Sequence, residues 1–124
     1  MNNELFGWIS VLAGVALGLY MGQKFQREDW LGGYGSFPRR MVRLAHVALA
    51  AIGILKIQFA QSVPRLHLNA LLETTASLAL MAAAVLMPAC CLWIASRQRH
   101  FEIFAAPVTC LATGLILTIG GLIR

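Results

Sequence analysis

Four long apolar stretches, separated by three short polar ones, dominate this chain: residues 5–22, 41–60, 66–95 and 103–123. A helix needs roughly 20 mostly apolar residues to cross about 30 Å of hydrocarbon. Each stretch meets or approaches that length, and none alternates with the period of two that a half-buried strand would show. The pattern predicts an all-α fold, an integral membrane bundle of four transmembrane helices forming a single domain over residues 1–124. The connections at 23–40, 61–65 and 96–102 are too short to fold separately. Residues 5–22 follow a slightly acidic start and have no A-x-A pattern after them, so they are expected to stay as the first helix and not to act as a cleaved signal.

Composition agrees: 59% of the residues are hydrophobic, 12% are charged, and mean hydropathy is +0.72. The formal charge of +5 raises the question of nucleic acid. No basic stripe interleaved with aromatics is present, however, and the basic residues sit just outside the apolar runs, where they set topology. Lys24, Arg27, Arg39, Arg40, Arg43, Arg97 and Arg99 flank the first and third connections, against Arg65 and Arg124 on the other side. This asymmetry predicts both termini on the outer, periplasmic side of a bacterial inner membrane, with 23–40 as a cytoplasmic interfacial loop. Within that loop Trp30, Tyr34 and Phe37 are expected at headgroup depth, and Gly32, Gly33, Gly35 and Pro38 interrupt any continuous helix.

Helices in lipid associate through close backbone approach and polar contacts. Gly14, Gly18 and Gly22, with Gly7 further back, form a small-residue face on the first helix; Ala106, Cys110, Gly114 and Thr118 form a looser one on the fourth. Pro88 removes a backbone hydrogen bond in the third helix and predicts a kink near Met87.

Charges inside the bilayer are costly and are the first functional candidates. Lys56 and Glu73 flank the short turn at 61–65, and their expected arrangement is an intramembrane ion pair. Asn69, Glu73 and Ser77 recur at steps of four with Thr74 beside them, a polar stripe that either glues helices together or lines a proton or ion path. His46 lies near the cytoplasmic edge of the second helix with Met87 at similar depth, so a His46–Met87 pair is a candidate for axial ligation of a b-type haem; no other cofactor and no metal is expected. His67 lies near the opposite face and cannot share an iron with His46. Cys90, Cys91 and Cys110 sit in apolar runs without a CxxC, as small apolar residues do. No metalloprotease, nucleophile–base or phosphate-loop pattern occurs.

Three segments carry a resemblance: residues 32–46 (GGYGSFPRRMVRLAH), 84–91 (AVLMPACC) and 99–104 (RHFEIF). They are similar to a group of small bacterial four-helix integral membrane proteins, and the resemblance implies the same architecture with no activity attached. Arg65, Asn69 and Glu73 resemble the Arg–Asn–Glu pattern of the membrane-associated eicosanoid and glutathione metabolism family. Here, though, Asn and Glu stand one residue too far apart, on the third helix instead of the second. Small multidrug-resistance transporters have this size but carry a glutamate in the first helix, where residues 5–22 have no charge.

The expected function is that of a non-catalytic small subunit or assembly partner of a larger bacterial inner-membrane complex, such as a respiratory or other electron-transfer assembly. Its partners would be membrane lipids and other integral membrane subunits. Two alternatives stand beside it: a homo-oligomeric proton-linked transporter using Glu73 and Lys56, and a b-haem electron carrier with His46 as a ligand.

Overall fold

The computed structural model describes residues 2–97 and 100–124; Arg99, one of the residues behind the charge asymmetry and the start of the third resembling segment, lies outside them. Four helices follow in order: α1 (Asn3–Phe25), α2 (Phe37–Ser62), α3 (Ala70–Arg97) and α4 (Ala105–Ile123). All four are long and apolar enough to cross a membrane, as in a multi-pass membrane protein.

The helix ends have local causes. Asn2 caps α1 by accepting from the Leu5 N–H at 3.1 Å. Ser36 caps α2 ahead of Pro38, whose fixed φ suits a first turn. The third helix starts at Ala70, four residues later than the apolar run at 66–95 implies. Val63–Arg65 forms a single 3-10 turn, Leu66 is extended, and Asn69 Oδ1 accepts from the Leu72 N–H at 2.9 Å. A side-chain cap there satisfies a first-turn donor that would otherwise lack a partner. Helix α3 then runs unbroken through Pro88 to Arg97.

Successive helices are antiparallel neighbours: α1 packs on α2, α2 on α3 and α3 on α4, while α1 and α4 make no extensive contact with each other. The bundle is therefore open between its first and last helices. Both termini lie at one end, where Ser77 meets Asn3 and the His67 N–H bonds the Gly121 carbonyl at 3.0 Å. The core between α2 and α3 sets alanines against larger side chains, with Ala48, Ile52, Ala83 and Ala84 in one cluster and Phe59, Ala76 and Leu80 in another.

Gly7, Gly14 and Gly18 are spent inside the molecule. A Cβ on Gly7 would stand 2.6 Å from Ile57 Cγ1 and 2.8 Å from the Gly53 carbonyl, and one on Gly14 would stand 3.1 Å from the Ala50 nitrogen. Gly18 lies under the His46 ring, but Gly22 has open space beside it. The face predicted as Gly14, Gly18 and Gly22 is thus an α1–α2 seam formed by Gly7, Gly14 and Gly18. On α4, Gly114 and Gly121 admit Leu80 and Leu68 in the same way.

Candidate functional site

At the end carrying the termini, a polar group penetrates the helices. Lys56 is wholly buried, and its Nζ donates to the Ser77 carbonyl at 2.6 Å and to Ser77 Oγ at 2.9 Å. The Ser77 hydroxyl in turn donates to Asn3 Oδ1 at 2.6 Å. The Phe59 ring lies 5.5 Å from the same Nζ, a distance at which an aromatic face attracts a cation. A lysine reaching this depth is tolerable because two oxygens and a ring replace water around it.

Glu73 is not the partner of Lys56. Among the described residues the one acid–base contact within 4.0 Å is His100–Glu102, on the surface. The reason is register. With α2 ending at Ser62 and α3 starting at Ala70, Lys56 is level with Ser77, and Glu73 is about one turn nearer the end of the bundle. Starting α3 at Leu66 would have brought Glu73 closer to the level of Lys56. Glu73 is half-buried and lines an open cavity of about 420 Å³ with Asn2, Asn3, Glu4, Ala60 and Val63. A second cavity of about 210 Å³ is lined by Asn3, Glu73, Thr74 and Ser77. Glu73, Thr74 and Ser77 therefore do share a polar cleft, whose inner wall hides Lys56 behind Ser77. Asn69 stands apart from it as the cap of α3.

Asn3 was not among the residues the sequence singled out, because it precedes the first apolar run. Its one signal is its place in the first turn of a helix whose terminus must lie at the level of the 61–65 turn.

The opposite end is organised by Arg39, which the sequence offers only as a topology charge. Its side chain is wholly buried. The guanidinium carbon lies 4.4 Å from the Tyr34 ring centroid, 5.2 Å from Trp30 and 5.3 Å from Phe25. Nη2 donates to the Arg27 carbonyl at 2.5 Å. The loop at 26–36 is thus folded around one arginine. Trp30 stacks edge-to-face on Tyr20 and Phe25, and Phe37 meets Phe101 in the same manner.

His46 faces α1. Its Nδ1 is 2.6 Å from the Gly14 carbonyl, which can only accept, so Nδ1 donates this hydrogen bond. Met87 packs instead on the Ala48, Ile52, Ala83 and Ala84 cluster, with Phe6, Cys110 and Leu111 around it. At 100° per residue, Ala48 and Ile52 lie far around α2 from His46. The structure turns His46 and Met87 to different neighbours, although their depths are similar, and does not assemble the pair that haem ligation requires. Cys90, Cys91 and Cys110 are free thiols.

These features define an all-α chain of four apolar, membrane-length helices with one buried polar group near each end. Comparison with known proteins finds no family model, no curated protein and no solved structure that matches it.

Proposed function

We propose that this chain is a non-catalytic small membrane subunit, or an assembly partner, of a larger bacterial inner-membrane complex of the respiratory or electron-transfer kind. The observation that supports this reading is the open bundle. Helix α1 packs mainly on α2 and α4 mainly on α3, and both leave large apolar side chains outside, including Leu12 and Leu19 on α1 and Ile116 and Ile119 on α4. Between helices in lipid, association depends on such surfaces finding another helix of matching shape. The buried polar groups suit the same role, because Lys56 and Arg39 hold the chain's own helices and loop in place. By the positive-inside rule the Arg39 end faces the cytoplasm and the termini face the periplasm. The particle released from native membranes by mild detergent should have a mass well above that of one 13.5 kDa chain with its lipids. A stable monomer would count against the proposal.

The polar cleft lined by Glu73, Thr74 and Ser77, with Lys56 buried behind Ser77, favours a second reading, a homo-oligomeric proton-linked transporter. Four helices are too few to enclose a pathway, so the cleft would have to be completed by a second copy. If Glu73→Gln and Lys56→Met leave proton flux in proteoliposomes unchanged, this reading fails.

A further inference from the structure

Among the described residues two charged side chains are wholly buried, and only one is satisfied. Lys56 has its oxygens. Arg39 gives Nη2 to the Arg27 carbonyl, but its Nε and Nη1 have no hydrogen-bond partner among the described residues. Folded proteins leave few such donors orphaned, and each exception asks for a partner. The three aromatic rings compensate part of the charge, yet a ring face replaces a hydrogen-bond acceptor only weakly.

The surroundings specify the missing acceptor. Between residues 24 and 43 the chain carries five basic residues, Lys24, Arg27, Arg39, Arg40 and Arg43, against the two acids Glu28 and Asp29. That end of the molecule attracts anions. Nη2 keeps a second hydrogen, which on either edge of the planar guanidinium stands parallel to one of the unpartnered donors, Nη1 or Nε, and two parallel donors fit an acceptor with several oxygens, as a phosphate group has.

Access is built into the loop. Tyr34, the ring nearest the guanidinium, is 53% exposed, and the hydrogen bond from its hydroxyl to the Phe25 carbonyl, at 2.6 Å, ties it down. It stands between Gly33, at φ 108°, and Gly35, which has open space where a side chain would be. Glycine on both sides lets the backbone swing the ring away with little steric resistance.

We propose that Arg39 is a binding site for a phosphate oxyanion and that Tyr34 is its lid. The phosphate belongs either to an anionic phospholipid at the membrane surface or to a free phosphate-bearing solute. When the lid opens, the oxyanion accepts from the second Nη2 hydrogen and from the unpartnered nitrogen on the same edge, and the guanidinium exchanges one aromatic face for a charge-assisted contact.

The test uses the full chain carrying Trp8→Phe and Trp93→Phe, so that Trp30, against Arg39, is the one emitter. In neutral maltoside micelles it is titrated with phosphatidylglycerol, with diacylglycerol of the same acyl chains, and separately with inorganic phosphate. A saturable change in Trp30 emission with phosphatidylglycerol alone supports the site and identifies lipid as the source. The same change with inorganic phosphate supports the site and identifies a soluble ligand. Arg39→Gln should weaken either response by roughly tenfold or more, about the loss of one charge-assisted hydrogen bond. Tyr34→Phe keeps the ring and frees the lid, so it should saturate at a lower ligand concentration, and it serves if Arg39→Gln does not fold. No saturable response in either phosphate arm, or an equal response to diacylglycerol, overturns the proposal. So does a Tyr34→Phe titration identical to that of the parent.

Discussion

Replacing Ser77 with alanine should strand Lys56. The hydroxyl it removes accepts from Lys56 Nζ at 2.9 Å and donates to Asn3 Oδ1 at 2.6 Å, so one substitution deletes two links and leaves the lysine only the backbone carbonyl. Taking one partner from a buried polar pair costs about 1–3 kcal/mol. Asn3 borders an open cavity and can turn to water, so most of the loss falls on Lys56. Lys56→Met should behave differently, because a flexible apolar chain of similar length removes the group that needs satisfying. Such replacements of buried charged groups are often neutral or stabilising. Ser77→Ala should therefore cost about 1–3 kcal/mol in the parent and much less in the Lys56→Met background. The double-mutant cycle should show a coupling of roughly 1–2 kcal/mol. The same cycle between Lys56→Met and Glu73→Gln should show less than about 0.5 kcal/mol, the scatter expected of independent sites. Reversible chemical unfolding in detergent micelles, followed by circular dichroism, measures both. A strong Lys56–Glu73 coupling beside strictly additive Lys56 and Ser77 losses would refute the register and restore the ion pair.

The α1–α2 seam makes a second prediction. Gly7→Val should destabilise by about 1–3 kcal/mol through overpacking against Ile57 and the Gly53 backbone. Gly22→Ala, with open space beside it, should be neutral or slightly stabilising in the same unfolding assay. For orientation, cysteines placed at Gln26 and Gln61 in a variant lacking Cys90, Cys91 and Cys110 should label from opposite sides of the membrane. Gln26 should be accessible only from the cytoplasm, and labelling of both from one side would contradict the topology. His46→Ala should cost about 1 kcal/mol through its lost bond to Gly14, and Met87→Leu should leave that cost unchanged, because the two side chains face different neighbours.

The four helices were legible because membrane-length apolar runs leave few alternatives, and the apolar-to-polar changes place most ends within a turn. The start of α3 was not. Leu66–Asn69 reads as helix by hydropathy, but the Asn69 cap and the turn at Val63–Arg65 shift it, and that shift moves Ser77 to the level of Lys56. Lys56 itself was found, since a lysine inside an apolar run is conspicuous; its acceptor was not, since serine is ordinary in such a helix. Arg39 reads in sequence as a topology charge because its cage is assembled from Phe25 on α1 and Trp30 and Tyr34 in the loop, and no spacing announces that they converge. The glycine face was legible as a packing surface, but not that α2 fills it. Depth along a helix can be read from sequence more easily than face, and the His46–Met87 pairing depended on face.

On the proposed function, the free edges of α1 and α4 meet other membrane subunits. Photo-crosslinking residues at Leu12, Leu19, Ile116 and Ile119, activated in native membranes, test it directly. A discrete protein adduct is expected from at least one edge, reproduced at both positions on that helix and lost when a bulky side chain is placed between them. Lipid adducts alone at all four positions would contradict it.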